Sequence, residues 1–280
     1  MAQAAIERRL TSAEVIGFPH GRRASEMLAS LMTPFNALGY TAHEQWAWDN
    51  YKSVILAFAA EARLPGGGAA VRLLEIGGGR DPLFTPAEAR AAGLHCTVND
   101  IDAGELTLAP TAFDRALFDI AGDLSQAQAR TGSYDLIVSQ MVFEHIRDVR
   151  MAWSNIYDLL TPGGVALAFF PTLYAPPYML NRLMPEALSS ALLKLFFPRR
   201  NDKMQPKFPA FYDHCFGSQK KAAPMFEAIG FREHLIVPFW SHGYFRHLPV
   251  LRELDAAVQA LARRRDWRAL TTYAYAVVRK

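Results

Sequence analysis

Seven short apolar runs, separated by polar and helix-forming segments, constrain the fold of this chain more than any other feature. Runs of this length that stop at glycine or a polar residue are typical of buried parallel strands, and their alternation with helical segments predicts βαβ units. We therefore expect a Rossmann-like, mostly parallel α/β sheet of seven strands, with helices on both faces and the last strand antiparallel. The predicted strands are VRLLEI (71–76), LHCTVND (94–100), RALFDI (115–120), YDLIVSQ (134–140), VALAFFP (165–171), FREHLIVPFW (231–240) and TTYAYAVVRK (271–280).

Helix signals lie between these runs. In TPAEARAAG, Thr85 is placed as an N-cap, Pro86 takes the first helical position, Glu88 closes a capping box and Gly93 ends the helix. Further helices are predicted over 43–62, 151–160 and 218–230.

The length of 280 residues, 51% of them hydrophobic, fits one large domain with insertions. After residue 170 the strand–helix rhythm breaks, and such an insertion above a sheet typically closes over a substrate and sets specificity. The expected parts are an N-terminal helical extension (1–69), the sheet core (70–170), a lid insertion (171–217) and a C-terminal part (218–280) whose insertion at 241–270 adds a helix and a lid or dimer surface.

Composition excludes several classes of protein. The net charge of +3 is too small for a dedicated nucleic-acid binder, so no nucleic-acid partner is expected. Cys96 and Cys215 have no metal-type spacing and do not make a disulfide framework. The N-terminus has no apolar signal region, and no run reaches the roughly 18 apolar residues that a membrane span needs. We expect a cytoplasmic protein without a membrane span.

The stretch VRLLEIGGGRDPLF places a carboxylate just ahead of three glycines. Gly77, Gly78 and Gly79 follow the first strand, where bare backbone can approach a ligand closely. A dinucleotide fingerprint requires G-x-G-x-x-G, but Pro82 occupies the third glycine position. Because Glu75 would repel pyrophosphate, the loop favours a ligand that carries an ammonium or sulfonium group.

Acidic residues follow the next two predicted strands. Asp100 ends the second strand, where a carboxylate can accept hydrogen bonds from both ribose hydroxyls. Asp119 ends the predicted third strand, and either Asp119 or Asp123 can receive an adenine amino group. A nucleoside with a positively charged tail satisfies these features, and S-adenosylmethionine is such a molecule. Taken singly, the glycines also fit a tight turn and the aspartates also fit helix N-caps.

The motifs LLEIGGGRD, VNDID, YDLIVSQMVFEHIRD and LLTPGG together resemble those of the class I S-adenosylmethionine-dependent methyltransferases of the small-molecule type, over residues 70–170. The resemblance implies S-adenosyl-L-methionine as cofactor, with Glu75 orienting the glycine loop and the methionine moiety. Together with the reasoning from the residues above, it gives these candidate cofactor-binding residues: Glu75, Gly77, Gly78, Gly79, Asp100, Ile101, Asp119, Ile120, Asp123, Gln140 and Met141. The chain departs from the family at Asp81, where a small residue is usual, and in its longer loop to the helix.

The acceptor is expected to be a small molecule or a sugar. The segments FFPTLYAPPYMLNRLMPE and KFPAFYDHCF resemble, more faintly, bacterial methyltransferases of cell-surface glycan and secondary-metabolite pathways. Tyr174, Tyr178 and His214 are candidate acceptor-binding residues, with packing as the alternative role of each. No group of residues has metal-ligand spacing, so no metal is expected.

A general base is expected shortly after the fourth strand. His145 can take a proton from a hydroxyl or an amine near neutral pH, and Glu144 beside it is a second candidate. The alternative is that this pair ends the strand and supports the next helix. The predicted function is methyl transfer to oxygen or nitrogen of a small-molecule or glycan acceptor.

Alternatives to this function, to the role of the lid helix and to the oligomeric state stay open. An RNA or protein methyltransferase needs a basic groove or a recognition domain, which the sequence does not indicate, and a catalytically silent scaffold has no need of Glu75 beside the glycines. The segment 181–200 predicts a helix in the lid, which either packs on the core or touches a membrane surface peripherally. Oligomeric state is open between a monomer and a homodimer.

Overall fold

A computed structural model describes residues 22–63, 69–126, 131–173, 209–243, 245 and 249–280. Within these ranges the protein forms one mixed sheet with helices on both faces. The strands are β1 (Val71–Ile76), β2 (Leu94–Asp100), β3 (Asp114–Leu117), β4 (Tyr134–Gln140), β5 (Leu160–Pro171), β6 (Glu233–Phe239) and β7 (Tyr273–Arg279). The α-helices are α1 (Arg22–Ala37), α2 (Glu44–Arg63), α3 (Pro86–Ala91), α4 (Ala103–Leu108), α5 (Val149–Leu159), α6 (Gln219–Ile229) and α7 (Pro249–Arg264).

The seven strands are ordered β3-β2-β1-β4-β5-β7-β6. Strands β1 to β5 pair in parallel, whereas β7 lies antiparallel between β5 and β6. This arrangement confirms the predicted fold class, including the antiparallel last strand. The strand order reverses between β1 and β4, and open sheets of this kind bind ligands beyond the carboxyl ends of the strands at that switch point.

Four strands differ in length from their predictions. β6 (Glu233–Phe239) and β7 (Tyr273–Arg279) are shorter at both ends than the predicted 231–240 and 271–280, and β3 and β5 differ as follows. β3 ends at Leu117, although its prediction ran to residue 120. Beyond that point the carbonyl of Phe118 accepts a hydrogen bond from the Asn99 side chain at 2.9 Å, so a side chain replaces the next ladder bond. β5 begins earlier than predicted because Leu160 pairs with Tyr134 across a register shift. The capping box of α3, with Thr85 and Glu88, is present as predicted.

Helix α2 fixes one face of the sheet beneath the carboxyl edge. The Tyr51 hydroxyl lies 2.5 Å from the carbonyl oxygen of Ser139 and 2.9 Å from that of Leu167, so it bridges β4 and β5. The helix starts at this edge, since Glu44 N–H donates to the carbonyl of Trp240 at 3.0 Å, directly after β6. Its first turn therefore lies beside the strand ends.

The opposite face is covered by α5 and α6. The buried ring of Trp153 contacts Phe143 and Phe226 with centroid distances of 4.7 and 5.1 Å. Since Phe143 lies just beyond β4, this packing holds the segment after β4 against the sheet. In the described ranges, no helix is long and apolar enough to cross a membrane.

Candidate functional site

The carboxyl ends of β1, β2 and β4 meet at one edge of the sheet. Ile76, the last residue of β1, is in register with Asn99 of β2 and Ser139 of β4. The residue that follows each of these therefore lies at the same level: Gly77, Asp100 and Gln140. The structure thus brings together three residues that the sequence assigned to one ligand.

Two positions of the loop require glycine. Gly77 has a φ of +70°, and a Cβ there would lie 2.5 Å from Cγ2 of Val142. A Cβ on Gly78 would lie 2.9 Å from Cδ of Glu75 and 3.0 Å from Cγ1 of Val98. The loop backbone therefore packs directly on the Glu75 carboxyl, and no side chain fits between them.

Glu75 anchors the return of the loop toward α3. Its two carboxylate oxygens lie 2.9 and 3.0 Å from the N–H of Leu83, which donates to them. The side chain is buried, and this burial raises its pKa to about 7. Because the ionised form is disfavoured by burial, a nearby cation would stabilise it and lower the pKa.

Asp100 lies on the other side of the loop. A Cβ on Gly79, whose φ is +43°, would lie 2.9 Å from Oδ2 of Asp100. The other oxygen of Asp100 accepts a hydrogen bond from Asp102 N–H at 2.9 Å. Arg80 bridges the loop to α4 through two short contacts of its guanidinium with Glu105, at 2.6 and 2.5 Å. The cation beside the loop is therefore already paired with a carboxylate.

The residues predicted to border adenine have different surroundings. Ile101 is 72% exposed beside Asp100, whereas Ile120 is buried in the core. Asp119 lies in a turn two residues beyond β3 rather than ending the strand, and one of its oxygens accepts from Ala121 N–H at 2.9 Å. Asp123 accepts from both the N–H and the hydroxyl of Ser125 at 2.9 Å.

The segment after β4 turns sharply. Met141 has a φ of +57°, and its N–H donates to the carbonyl of Phe169 on β5 at 2.8 Å. A 3₁₀ turn at Phe143–His145 follows. The turn places Gln140 and Met141 at the strand end and Glu144 and His145 one turn further on.

Residues 209–217 lie against this turn, and we name them the strap. The carbonyl of Glu144 accepts from the N–H groups of Phe211 at 2.7 Å and Tyr212 at 3.1 Å. Nδ1 of His145 lies 2.8 Å from the carbonyl oxygen of Pro209. Because that oxygen can only accept, Nδ1 carries the proton and Nε2 is the basic nitrogen.

Glu144 is the second buried carboxyl at this edge. Its Oε2 has no hydrogen-bond partner in the described part of the chain, and burial raises its pKa to about 8. The group is therefore neutral at pH 7, unlike the ionised carboxylate that a general base requires.

The predicted acceptor residues are described only in part. His214 lies on the strap with a φ of +49°, and its Nδ1 is 2.8 Å from Oδ1 of Asp213. Tyr174 and Tyr178 lie outside the described residues, as does most of the predicted lid.

Sequence reasoning missed two contributors to the site. Asn99 donates to the carbonyls of Ala116 and Phe118, both at 2.9 Å, and so fixes the chain beyond β3. Glu105 holds Arg80. A polar residue in an otherwise apolar strand was a usable signal for Asn99, whereas nothing in the sequence pairs Glu105 with the loop.

Comparison with known proteins supports one family. The family model described as "Methyltransferase domain" matches residues 41–232. Uncharacterised methyltransferases of Mycobacterium bovis and Mycobacterium tuberculosis are each 35% identical over 102 residues, which cover 36% of this chain and 51% of theirs. The matched region thus spans about half the length of these curated relatives.

Solved structures with a similar fold include the DszA carbon methyltransferase, at 13% identity and a TM-score of 0.49, covering 99% of this chain and 70% of that one. An S-adenosylmethionine-dependent methyltransferase from Mesorhizobium loti has 14% identity and a TM-score of 0.48, covering 79% of this chain and 96% of that one. One from Archaeoglobus fulgidus has 15% identity and a TM-score of 0.47, covering 82% of this chain and 94% of that one. None of these likenesses bears on the acceptor of this chain.

Proposed function

Because this chain belongs to the methyltransferase-domain family and has the class I fold, we propose that it transfers a methyl group from S-adenosyl-L-methionine to oxygen or nitrogen of a small-molecule or glycan acceptor. The observation that carries the proposal is the buried carboxyl of Glu75 directly beneath the bare backbone of Gly78. An anionic ligand would meet an anion there, whereas a ligand with an ammonium group would stabilise the charged form of Glu75.

We assign the other residues to the methionine and ribose parts of the cofactor according to their chemistry. Gly77, Gly78 and Gly79 give backbone access, and Glu75 balances the positive charge of the methionine moiety. Asp100 accepts from the ribose hydroxyls, with Gln140 and Met141 on the far side of the cofactor. These residues meet at one edge of the sheet, which supports the assignment.

The adenine end is assigned to Ile101, Asp119 and Ile120. Ile101 is exposed and apolar, which suits it to contact an aromatic base. Asp119 is a better acceptor for the adenine amino group than Asp123, because both oxygens of Asp123 already accept from Ser125. Ile120 would contribute through the backbone, since its side chain is in the core.

The chemical step needs position, exclusion of water and a proton acceptor. When bound, the cofactor supplies a methyl group on a positively charged sulfur, whose C–S bond breaks as the acceptor bond forms. His145 takes the acceptor proton at Nε2, because its Nδ1 donates to the Pro209 carbonyl. Glu144 is neutral at pH 7 and holds the strap through its backbone carbonyl, so we assign it a positioning role.

The acceptor is proposed to approach between the strap and the first turn of α2. His214 lies on the strap and is proposed to contact the acceptor, whereas Tyr174, Tyr178 and most of the predicted lid (171–217) lie outside the described residues. We propose that the chain acts as a single methyltransferase domain, with residues 70–170 holding the cofactor.

Calorimetric titration tests the proposal. We expect the protein to bind S-adenosylmethionine and its demethylated product and not to bind NAD. Asp100→Ala should weaken cofactor binding at least tenfold, because hydrogen bonds to a charged group contribute about 1.5–3 kcal/mol each. Asp114→Asn removes a carboxylate at the opposite end of the same pair of strands and serves as the control. Binding of NAD in preference to the sulfonium compound would refute the proposed function.

A further inference from the structure

An aromatic wall lies at the edge of the sheet where β5 ends and β7 begins. The ring of Trp48, the fifth residue of α2, has its centroid 4.7 Å from that of Phe169 and 5.7 Å from that of Tyr273. Phe169 and Tyr273 are themselves 5.6 Å apart and are buried, whereas Trp48 is 40% exposed. The wall, defined as Trp48, Phe169 and Tyr273, therefore presents part of one large ring to solvent.

The strand register gives the distance of the wall from the glycine loop. Gln140, the last residue of β4, is in register with Phe169, and Gly77 on the neighbouring β1 lies at the same level. Adjacent strands are about 4.8 Å apart, so two spacings put the wall about 10 Å from the loop.

The wall and Glu75 lie on the same face of the sheet. Tyr51, one turn after Trp48 on α2, has its ring 5.5 Å from Phe169 and interacts electrostatically with Glu75. An acceptor against Trp48 would therefore be on the side of the sheet to which Glu75 directs the positively charged part of the cofactor.

From this geometry we propose that Trp48 determines acceptor specificity by stacking on the substrate, and that the acceptor is a planar aromatic molecule carrying the hydroxyl or amine that is methylated. This inference rests on the proposed function. The wall lies about 10 Å from the loop across β4, and one or two aromatic rings stacked on Trp48 span that distance and bring a substituent toward the loop. A sugar would need several polar partners, whereas the neighbours of Trp48 in the wall are aromatic rings.

The test uses the full chain with five probes. Catechol, 4-aminophenol and 2-naphthol represent planar aromatic acceptors, and ethanolamine and methyl glucoside represent aliphatic ones. Binding of each probe to the protein saturated with S-adenosylhomocysteine is measured by saturation-transfer NMR. Transfer of tritiated methyl from S-adenosylmethionine gives kcat and KM.

The variants are Trp48→Leu and Trp48→Phe, with Trp267→Leu as the matched control because Trp267 is 46% exposed and lies outside the wall. We expect the aromatic probes to bind and to be methylated. Trp48→Leu should raise their KM about tenfold with little change in kcat, the size expected for a lost stacking contact. Trp48→Phe should stay within about threefold of the parent, and cofactor affinity should be unchanged in all variants.

Two sets of results separate this inference from the proposed function. If the parent does not bind S-adenosylmethionine, the proposed function fails. If it binds the cofactor but only the aliphatic probes bind, or no probe binds, the aromatic acceptor is refuted and the function stands. Equal kinetics for Trp48→Leu and Trp267→Leu would refute the role of Trp48. The probe measurements on the parent decide the acceptor class even if Trp48→Leu does not fold.

Discussion

Replacing Glu75 by glutamine should have opposite effects on the stability of the protein and on its binding of a positively charged ligand. The carboxyl is buried under Gly78 and accepts from Leu83 N–H. Glutamine has nearly the same volume and keeps an acceptor oxygen for Leu83, but it carries no charge. We therefore expect Glu75→Gln to be more stable than the parent at pH 8 and to lose cofactor binding.

The magnitude follows from the pKa. Burial raises the pKa of Glu75 from 4.5 to about 7, which makes the ionised form unfavourable by about 3 kcal/mol in the folded protein. Of its charged or titratable neighbours, Lys52 of α2 opposes this rise, while Tyr51 and Cys96 are neutral near pH 7 because their own pKa values are raised.

The pH dependence has a defined sign. Between pH 4.5 and about 7 the folded state keeps a proton that the unfolded state has lost, so the stability of the parent falls as pH rises through this window. Glutamine does not ionise, so the stability of Glu75→Gln does not fall for this reason as pH rises. Its advantage should approach about 3 kcal/mol at pH 8, or about 5–10 °C in melting temperature, and should shrink toward pH 5.

Thermal denaturation at pH 5 and pH 8, followed by circular dichroism, measures the stability of both proteins. Calorimetry with S-adenosylmethionine at pH 8 measures binding, which should weaken at least tenfold. Asp100→Asn is the control, because it removes a half-buried carboxylate and should lose affinity without a gain in melting temperature. A variant less stable than the parent at pH 8, or one that binds the cofactor normally, would show that Glu75 is not a strained cation partner.

Three further predictions concern single positions. Gly78→Ala should lower stability by about 1–3 kcal/mol and weaken cofactor binding, measured by melting and calorimetry, because its Cβ would lie 2.9 Å from Glu75 Cδ. His145→Gln should lower kcat about 10²–10⁴-fold toward the best acceptor probe, with cofactor affinity unchanged. Gly217→Ala should lower the melting temperature by several degrees, because its Cβ would overlap Thr271 Oγ1 and displace the strap.

The bounds of a strand were predictable where its buried apolar run and its hydrogen-bond ladder end at the same residue. The bounds of β1, β2 and β4 agree with their predictions, because each apolar run stops where the ladder stops. At β3 the two signals separate, since the apolar positions Phe118 and Ile120 continue the pattern while Asn99 takes over the hydrogen bond. A side chain from another strand cannot be read from local periodicity.

The meeting of the proposed cofactor residues at one edge was predictable for a related reason. Glu75, the glycines and Asp100 lie within one βαβ unit, so their order along the chain determines their meeting at one edge. The residues proposed for the acceptor come from distant segments: Trp48 packs on Phe169, and Pro209 lies against His145. Such contacts depend on how α2 and the strap pack against the sheet, and local sequence patterns do not predict that packing.

The two buried carboxyls at this edge show why burial alone does not assign a role. Burial raises the pKa of both Glu75 and Glu144, but the Glu75 carboxyl lies under the glycine loop, where the proposed cation would restore its charge. Glu144 is covered by the strap, and Asp213 and Cys215, which lie on the strap, supply no positive charge to offset its burial. One carboxyl can therefore ionise when a cation binds, whereas the other stays buried beneath the strap, with Nε2 of His145 3.8 Å from its Oε1.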